Sequence, residues 1–148
     1  MKAGASDRLV IDASVTVAWC FEAEKTPYTE EILEKISRGA EAIVPPLWSF
    51  EIVNALLQAE RRKRITAAQA TVFLKQLESV NLAVDSAPLS RVFEWIFLEA
   101  RQQNLTAYDT AYLELALRLG LPLATLDANL KRAAKDLGLP IAHSAAGR

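Results

Sequence analysis

Four acids in this 148-residue chain stand at joints in its hydrophobic pattern: Asp12, Glu51, Asp109 and Asp127. Asp12 ends the β-branched apolar run "RLVID" at 8–12, and Asp127 ends a second run, "LPLATLD", at 121–127. Asp109 lies in the first turn of an amphipathic helix, "NLTAYDTAYLELALRLG", at 104–120. Glu51 lies on a helix that opens at 47. Carboxylates that converge without basic partners repel one another and raise each other's pKa. Hard divalent cations such as Mg²⁺ or Mn²⁺ relieve that repulsion, because they prefer oxygen ligands. Bound ions of this kind activate water and stabilise the leaving oxygen of a phosphodiester.

Each acid also has a plainer explanation. Thr106 can cap its helix with Asp109 at the third position, where the dipole favours an acid. Asp12 and Asp127 suit turns or helix entries. Glu51 shares a helical stripe with Asn54, Gln58 and Arg62, which is also the look of a solvated face. On the Asp109 helix, at about 100° per residue, Thr110, Glu114 and Arg118 line up as the solvent stripe, and Tyr108, Ala111, Tyr112, Leu115, Ala116 and Leu119 fill the apolar arc. Asp109 falls beside Ala116, at the apolar side.

The elements that must position these acids alternate between short strands and helices. Strand candidates cover 8–12, 41–46, 81–86, 121–127 and 139–143. Between them, Ser14 can cap a first helix, Thr26-Pro27 opens a second that runs to Gly39, and a third spans 47–64. Thr66 with Gln69 forms a capping box for the next, which reaches about Val80. Helical patterns at 89–103, 104–120 and 128–138 complete the chain. This alternation predicts an α/β fold with a parallel sheet and helices on both faces, which binds ligands beyond the carboxyl ends of its strands. Asp12 and Asp127 would lie on that edge.

Bulk properties narrow the chemistry. The length suits one domain with its own core, and a formal net charge of −1 gives no overall attraction for nucleic acid. Cys20 is the only cysteine and His143 the only histidine, which removes intrachain disulfides, cysteine zinc sites and paired-histidine catalysis. Neither dinucleotide nor Walker-type glycine motifs occur. No apolar leader or membrane-length run is present, so a soluble cytoplasmic protein is expected.

The motifs resemble those of the PIN-domain nucleases, and within them the VapC-type toxins of bacterial toxin–antitoxin pairs. "VIDASV" is similar to the opening strand-Asp-x-Ser element and supplies Asp12 and Ser14. "FEIVNAL" resembles the Glu-x-x-Asn helix, with Glu51 and Asn54. "LTAYDTAYLELA" resembles the segment centred on Asp109, and "LPLATLDANL" the Thr-x-Asp element, with Thr125 and Asp127. The similarity spans 8–142, leaving a lead at 1–7 and a tail at 143–148. It implies a three-layer α/β/α domain whose five-stranded parallel sheet has the order 3-2-1-4-5. It also implies a Mg²⁺- or Mn²⁺-dependent endoribonuclease, a cognate antitoxin protein and a homodimer. Asp12 and Asp109 would be the principal metal ligands, Glu51 and Asp127 would complete the acidic pocket, and Ser14, Asn54 and Thr125 would orient ligands or water.

An RNA substrate needs phosphate contacts, and the one basic cluster is Arg61, Arg62, Lys63 and Arg64. Its alternative role is to compensate a helix dipole. Trp48, Phe50, Phe93, Trp95 and Phe97 recur at helical spacing and are expected mainly in the core, with any exposed subset serving a dimer or antitoxin surface. Two rival functions remain: a binding module on the same scaffold without catalysis, and a signalling receiver with Asp85 as phosphoacceptor.

Overall fold

The computed structural model describes residues 7–143. Apart from Asp7 and His143, the lead and tail expected from the sequence lie outside them. Four parallel strands, β1 (Arg8–Ile11), β2 (Glu41–Val44), β3 (Leu82–Val84) and β4 (Leu123–Ala124), form one sheet in the order β3-β2-β1-β4. Leu9 pairs with Ala42, Val10 pairs with both Ile43 and Leu123, and Ile43 pairs with Ala83. Leu9, Val10 and Ile11 are all buried, so both faces of the central strand are covered.

The chain steps from β1 outward to β3 and then returns to place β4 on the other side of β1. That reversal makes the β1/β4 crevice the switch point of the sheet. The outward crossovers carry α1 (Ala13–Ala18), α2 (Pro27–Ser37), α3 (Leu47–Arg61) and α4 (Ala67–Leu77). The return crossover carries α5 and α6 (Ala107–Leu119), and α7 (Ala128–Asp136) follows β4. Helix α5 is composite: Leu89–Arg91, a π-helical turn Val92–Ile96, and Phe97–Gln103. Right-handed crossovers put α1–α4 on one face and α5–α7 on the other. The packing agrees, with α1 against α2 and α3, and α6 against α5 and α7.

Local signals set most helix ends. Thr26 and Thr66 each form a reciprocal capping box, with Thr29 and Gln69. Thr106 accepts from the Asp109 amide, and Gly120 closes α6 in the left-handed conformation at φ 68°. The first helix departs from expectation. It opens at Ala13 with Asp12 as its cap, and the Ser14 hydroxyl donates to Asp12 instead of capping.

Among the described residues the sheet has four strands, not the five expected. The segment expected as the fifth meets β4 only through an isolated parallel bridge between Leu123 and Ile141. Pro140 faces β4 but has no amide to extend the ladder. Only the Pro140 carbonyl and the Ala142 amide are left to bond Leu123.

The aromatic residues also sit differently. Trp48 is buried and Trp95 partly so, but Phe50 is 72% exposed, Phe93 66% and Phe97 56%. Helix α5 packs through Ile96, Trp95 and the Arg91 side chain, which leaves Phe93 and Phe97 outward. Tyr108, assigned to the apolar arc of α6, is 64% exposed as well.

Candidate active site

Asp12 follows β1 directly, and its amide continues the ladder by donating to the Ala124 carbonyl at 3.1 Å. This places its side chain level with Thr125 across the switch-point crevice. Asp12 is 5% exposed, and both of its carboxylate oxygens accept hydrogen bonds. Its Oδ1 accepts from the Ser14 hydroxyl at 2.6 Å and the Val15 amide at 3.2 Å, and its Oδ2 accepts from the Thr125 hydroxyl. Ser14 Oγ in turn accepts from the Leu126 amide at 3.0 Å, and Thr125 Oγ1 from the Asp127 amide at 3.0 Å. Asp127 caps α7, with Oδ1 accepting from the Leu130 amide at 2.9 Å. One hydrogen-bonded chain therefore ties the ends of β1 and β4 together.

Helix α3 is anchored beside this edge by the Trp48 indole, which donates to Thr16 Oγ1 at 3.1 Å. One turn further along, Glu51 is half-buried and accepts from the Tyr112 hydroxyl at 2.6 Å through Oε1. Tyr112 lies one turn after Asp109 on α6. The sequence placed it in the apolar arc but gave no sign that its hydroxyl reaches Glu51. Asn54 is exposed on α3, and its side chain makes no hydrogen bond to the other described residues. His143 is exposed.

The electrostatics show that the four acids share one region. Burial pushes the Asp12 carboxyl above its ordinary range, against the pull of Ser14, Thr125 and the Val15 amide, and the charge of Asp127 adds to the rise. Burial also raises Glu51, opposed by the Tyr112 hydroxyl and reinforced by Asp109 and Asp12. Asp109 is raised by burial and by Asp127, against the Thr106 hydroxyl. Tyr112 is driven upward by burial and by its bond to Glu51, so its hydroxyl stays a donor. Among the described residues none of the four acids makes an ion pair.

In chemistry these donors are of the kind a hard divalent cation prefers: they offer oxygen only, no cation among the described residues pairs with them, and neighbouring acids help to raise Asp12, Glu51 and Asp109. Among the described residues, no group of three or more His, Cys, Asp or Glu side chains is close enough to hold a metal ion as it stands.

The upward shifts have a definite consequence for stability. Each group's contribution is full below the unfolded carboxyl range, about 4, and is lost as pH rises through its higher folded-state value. A divalent cation reverses this near neutrality by binding the ionised folded cluster. In EDTA, the wild-type Tm is expected to fall more steeply between about pH 5 and about pH 8 than that of the Asp12→Asn/Asp109→Asn double variant. Mn²⁺ should raise the wild-type Tm alone. Equal pH slopes in thermal unfolding would count against mutual repulsion in the cluster.

The stripe assigned to solvent on α6 is covered. Thr110 is buried, Glu114 is 1% exposed, and α5 together with Asp85 closes over them. Arg118 Nε donates to Glu114 Oε2 at 2.8 Å, and its Nη1 to Asp85 Oδ1 at 2.9 Å. Arg91 Nε reaches Glu114 Oε2 at 3.1 Å. Asp85 is thus held in an ion pair, not presented as a phosphoacceptor. The basic cluster at 61–64 is exposed at the far end of α3, about 15 Å along the helix from Glu51 at 1.5 Å per residue. Arg64 pairs with Glu24 at 2.8 Å and stacks on Phe21 at 4.3 Å.

Comparison with known proteins gives three findings. The family model described as the PIN domain matches residues 9–136. The protein named Ribonuclease VapC3 of Pyrobaculum aerophilum is 29% identical over 123 residues, which cover 83% of this chain and 92% of that protein. The crystal structure of PAE2754 from Pyrobaculum aerophilum superposes with a TM-score of 0.66 at 25% identity, covering 90% of this chain and 87% of that one.

Proposed function

The chain belongs to the PIN-domain family, and from that premise we propose that it is a Mg²⁺- or Mn²⁺-dependent endoribonuclease, the toxin of a toxin–antitoxin pair. The observation that carries this proposal is that Asp12, Glu51, Asp109 and Asp127, from four separate elements, are coupled through their charges, with no basic partner among the described residues. Similarity to a protein named as a ribonuclease supports RNA as the substrate class.

Asp12 and Asp109 would be the principal metal ligands, and Glu51 and Asp127 would complete the pocket. A divalent cation held there supplies positive charge to the scissile phosphodiester and acidity to a water. The chain's own part is preorganisation. Ser14 and Thr125 lock the Asp12 carboxylate in one orientation before any substrate arrives. Asp127 is fixed through Oδ1 by the α7 backbone, which leaves Oδ2 without a protein hydrogen bond among the described residues. Asn54, exposed on the Glu51 helix, would orient substrate or water.

Arg61, Arg62 and Lys63 make no ion pair among the described residues and form a cluster of exposed cations open to RNA phosphates. Changing all three to Ser is expected to flatten the salt dependence of RNA binding by about 2 in log–log slope, at about 0.7 per single-strand phosphate contact. Mn²⁺ affinity should not change. An unaltered slope would assign the cluster to solubility and helix-dipole compensation.

Leu89, Phe93, Phe97 and Leu98 give α5 an exposed apolar face, a surface of the kind that a second copy or an antitoxin covers. No helix among the described residues is long and apolar enough to cross a membrane.

The first experiment is calorimetric titration of Mn²⁺ into the wild type and Asp12→Asn, followed by RNA cleavage. Saturable binding lost in the variant, together with metal-dependent cleavage by the wild type, is the expected result. A folded wild type that neither binds Mn²⁺ nor cuts RNA would favour a catalytically inactive module acting through a protein partner.

A further inference from the structure

Glu51 is set apart from the other acids by what holds it. Asp12 and Asp127 accept backbone amides at helix entries, so local backbone fixes both, and Asp109 is a short side chain in a capped first turn. Glu51 lies inside α3, on a long side chain with several rotatable bonds and no backbone donor. Its one hydrogen bond among the described residues comes from the Tyr112 hydroxyl, 61 positions away in sequence. Tyr112 is 1% exposed, and its ring is packed in the core. Its hydroxyl is therefore a fixed point, and it stands on the same helix as Asp109.

We propose that Tyr112 is a positioning residue, whose buried hydroxyl fixes Glu51 through Oε1 so that Oε2 alone is left for a ligand. The proposal rests on the nuclease reading above and deepens it. Without the hydroxyl, Glu51 is free to change rotamer, and the pocket must order that side chain each time it binds a cation. Because Tyr112 and Asp109 share one rigid turn of α6, the same contact sets the position of Glu51 relative to Asp109.

Tyr112→Phe removes the hydroxyl and keeps the ring that fills the core. The full chain carrying it should fold, as checked by thermal unfolding, and should bind Mn²⁺ about 10–100-fold more weakly in calorimetry, the usual cost of losing a group that orients a metal ligand. In RNA cleavage, kcat should fall while KM changes little. Adding Tyr112→Phe to Glu51→Gln should weaken Mn²⁺ binding no further, because the hydroxyl acts only through that carboxylate. Wild-type Mn²⁺ affinity in Tyr112→Phe, with or without a lower Tm, would make the contact merely structural and overturn the proposal. Additive losses in the double variant would overturn it too, by showing that Tyr112 acts elsewhere. If the wild type itself binds no Mn²⁺, the nuclease reading fails and the positioning role falls with it.

Discussion

Asp12→Asn is expected to fold as the wild type does and to lose RNA cleavage by on the order of 10²–10⁴-fold, the range for removing a positioned charged or proton-transferring group. The asparagine oxygen can still accept from Ser14 and the Val15 amide, so the entry to α1 keeps its cap. On the other side an amide donor now faces Thr125 Oγ1, whose proton must turn elsewhere. Against that lost bond stands the removal of a buried charge that is held above its ordinary pKa by desolvation and by Asp127. In EDTA at neutral pH the variant's Tm should therefore equal or exceed that of the wild type. Asp109→Asn is expected to behave the same way, since burial and Asp127 raise its carboxyl as well. Thermal unfolding and RNA cleavage on the same preparations separate the two effects. Cleavage at the wild-type rate by both variants would remove these acids from the chemistry.

The second large effect is on stability. Arg118→Met should destabilise the fold by about 3 kcal/mol, the low end for breaking a buried ion pair by deleting one partner. Methionine keeps much of the aliphatic stem but leaves Glu114, 1% exposed, with Arg91 alone, and leaves Asp85 without its cation. For a chain of this size the loss corresponds to roughly 6–12 °C in Tm. Adding Glu114→Leu should restore much of it, because an apolar side chain at that position no longer demands a cation. The effect is confined to folding, so RNA cleavage well below the Tm should stay close to wild type. A Tm for Arg118→Met within about 1 °C of wild type would show that the guanidinium contributes little net stability.

The candidate site was legible to the extent that it was built from local rules. Asp12 and Asp127 each follow a run of apolar residues, and a parallel sheet brings all such endings to one edge. Thr106 and Asp109 lie within one turn, so the capping contact and the functional placement arise together. A local rule misassigned Ser14: both Ser14 and Asp12 can cap a helix, and the ladder bond from the Asp12 amide to Ala124 decided between them. The fifth strand failed for a related reason. An apolar run qualifies as a strand, but Pro140, which faces β4, lacks the amide that would extend the ladder.

By itself, the sequence determined the alternation of strands and helices, the caps at Thr26, Thr66 and Thr106, the stop at Gly120, and which acids end strands or open helices. Those features depend on hydrogen bonds and periodicities that close within a few residues. Only the tertiary structure decided that the Glu114 stripe is covered, that Phe93 and Phe97 face outward, and that Tyr112 holds Glu51. A helical period fixes the angles between side chains, but it does not say how many sides of the helix will be packed. Helix α6 is enclosed by the sheet, by α5 and by α7, so it has little solvent face, and its polar residues had to find partners from distant parts of the chain.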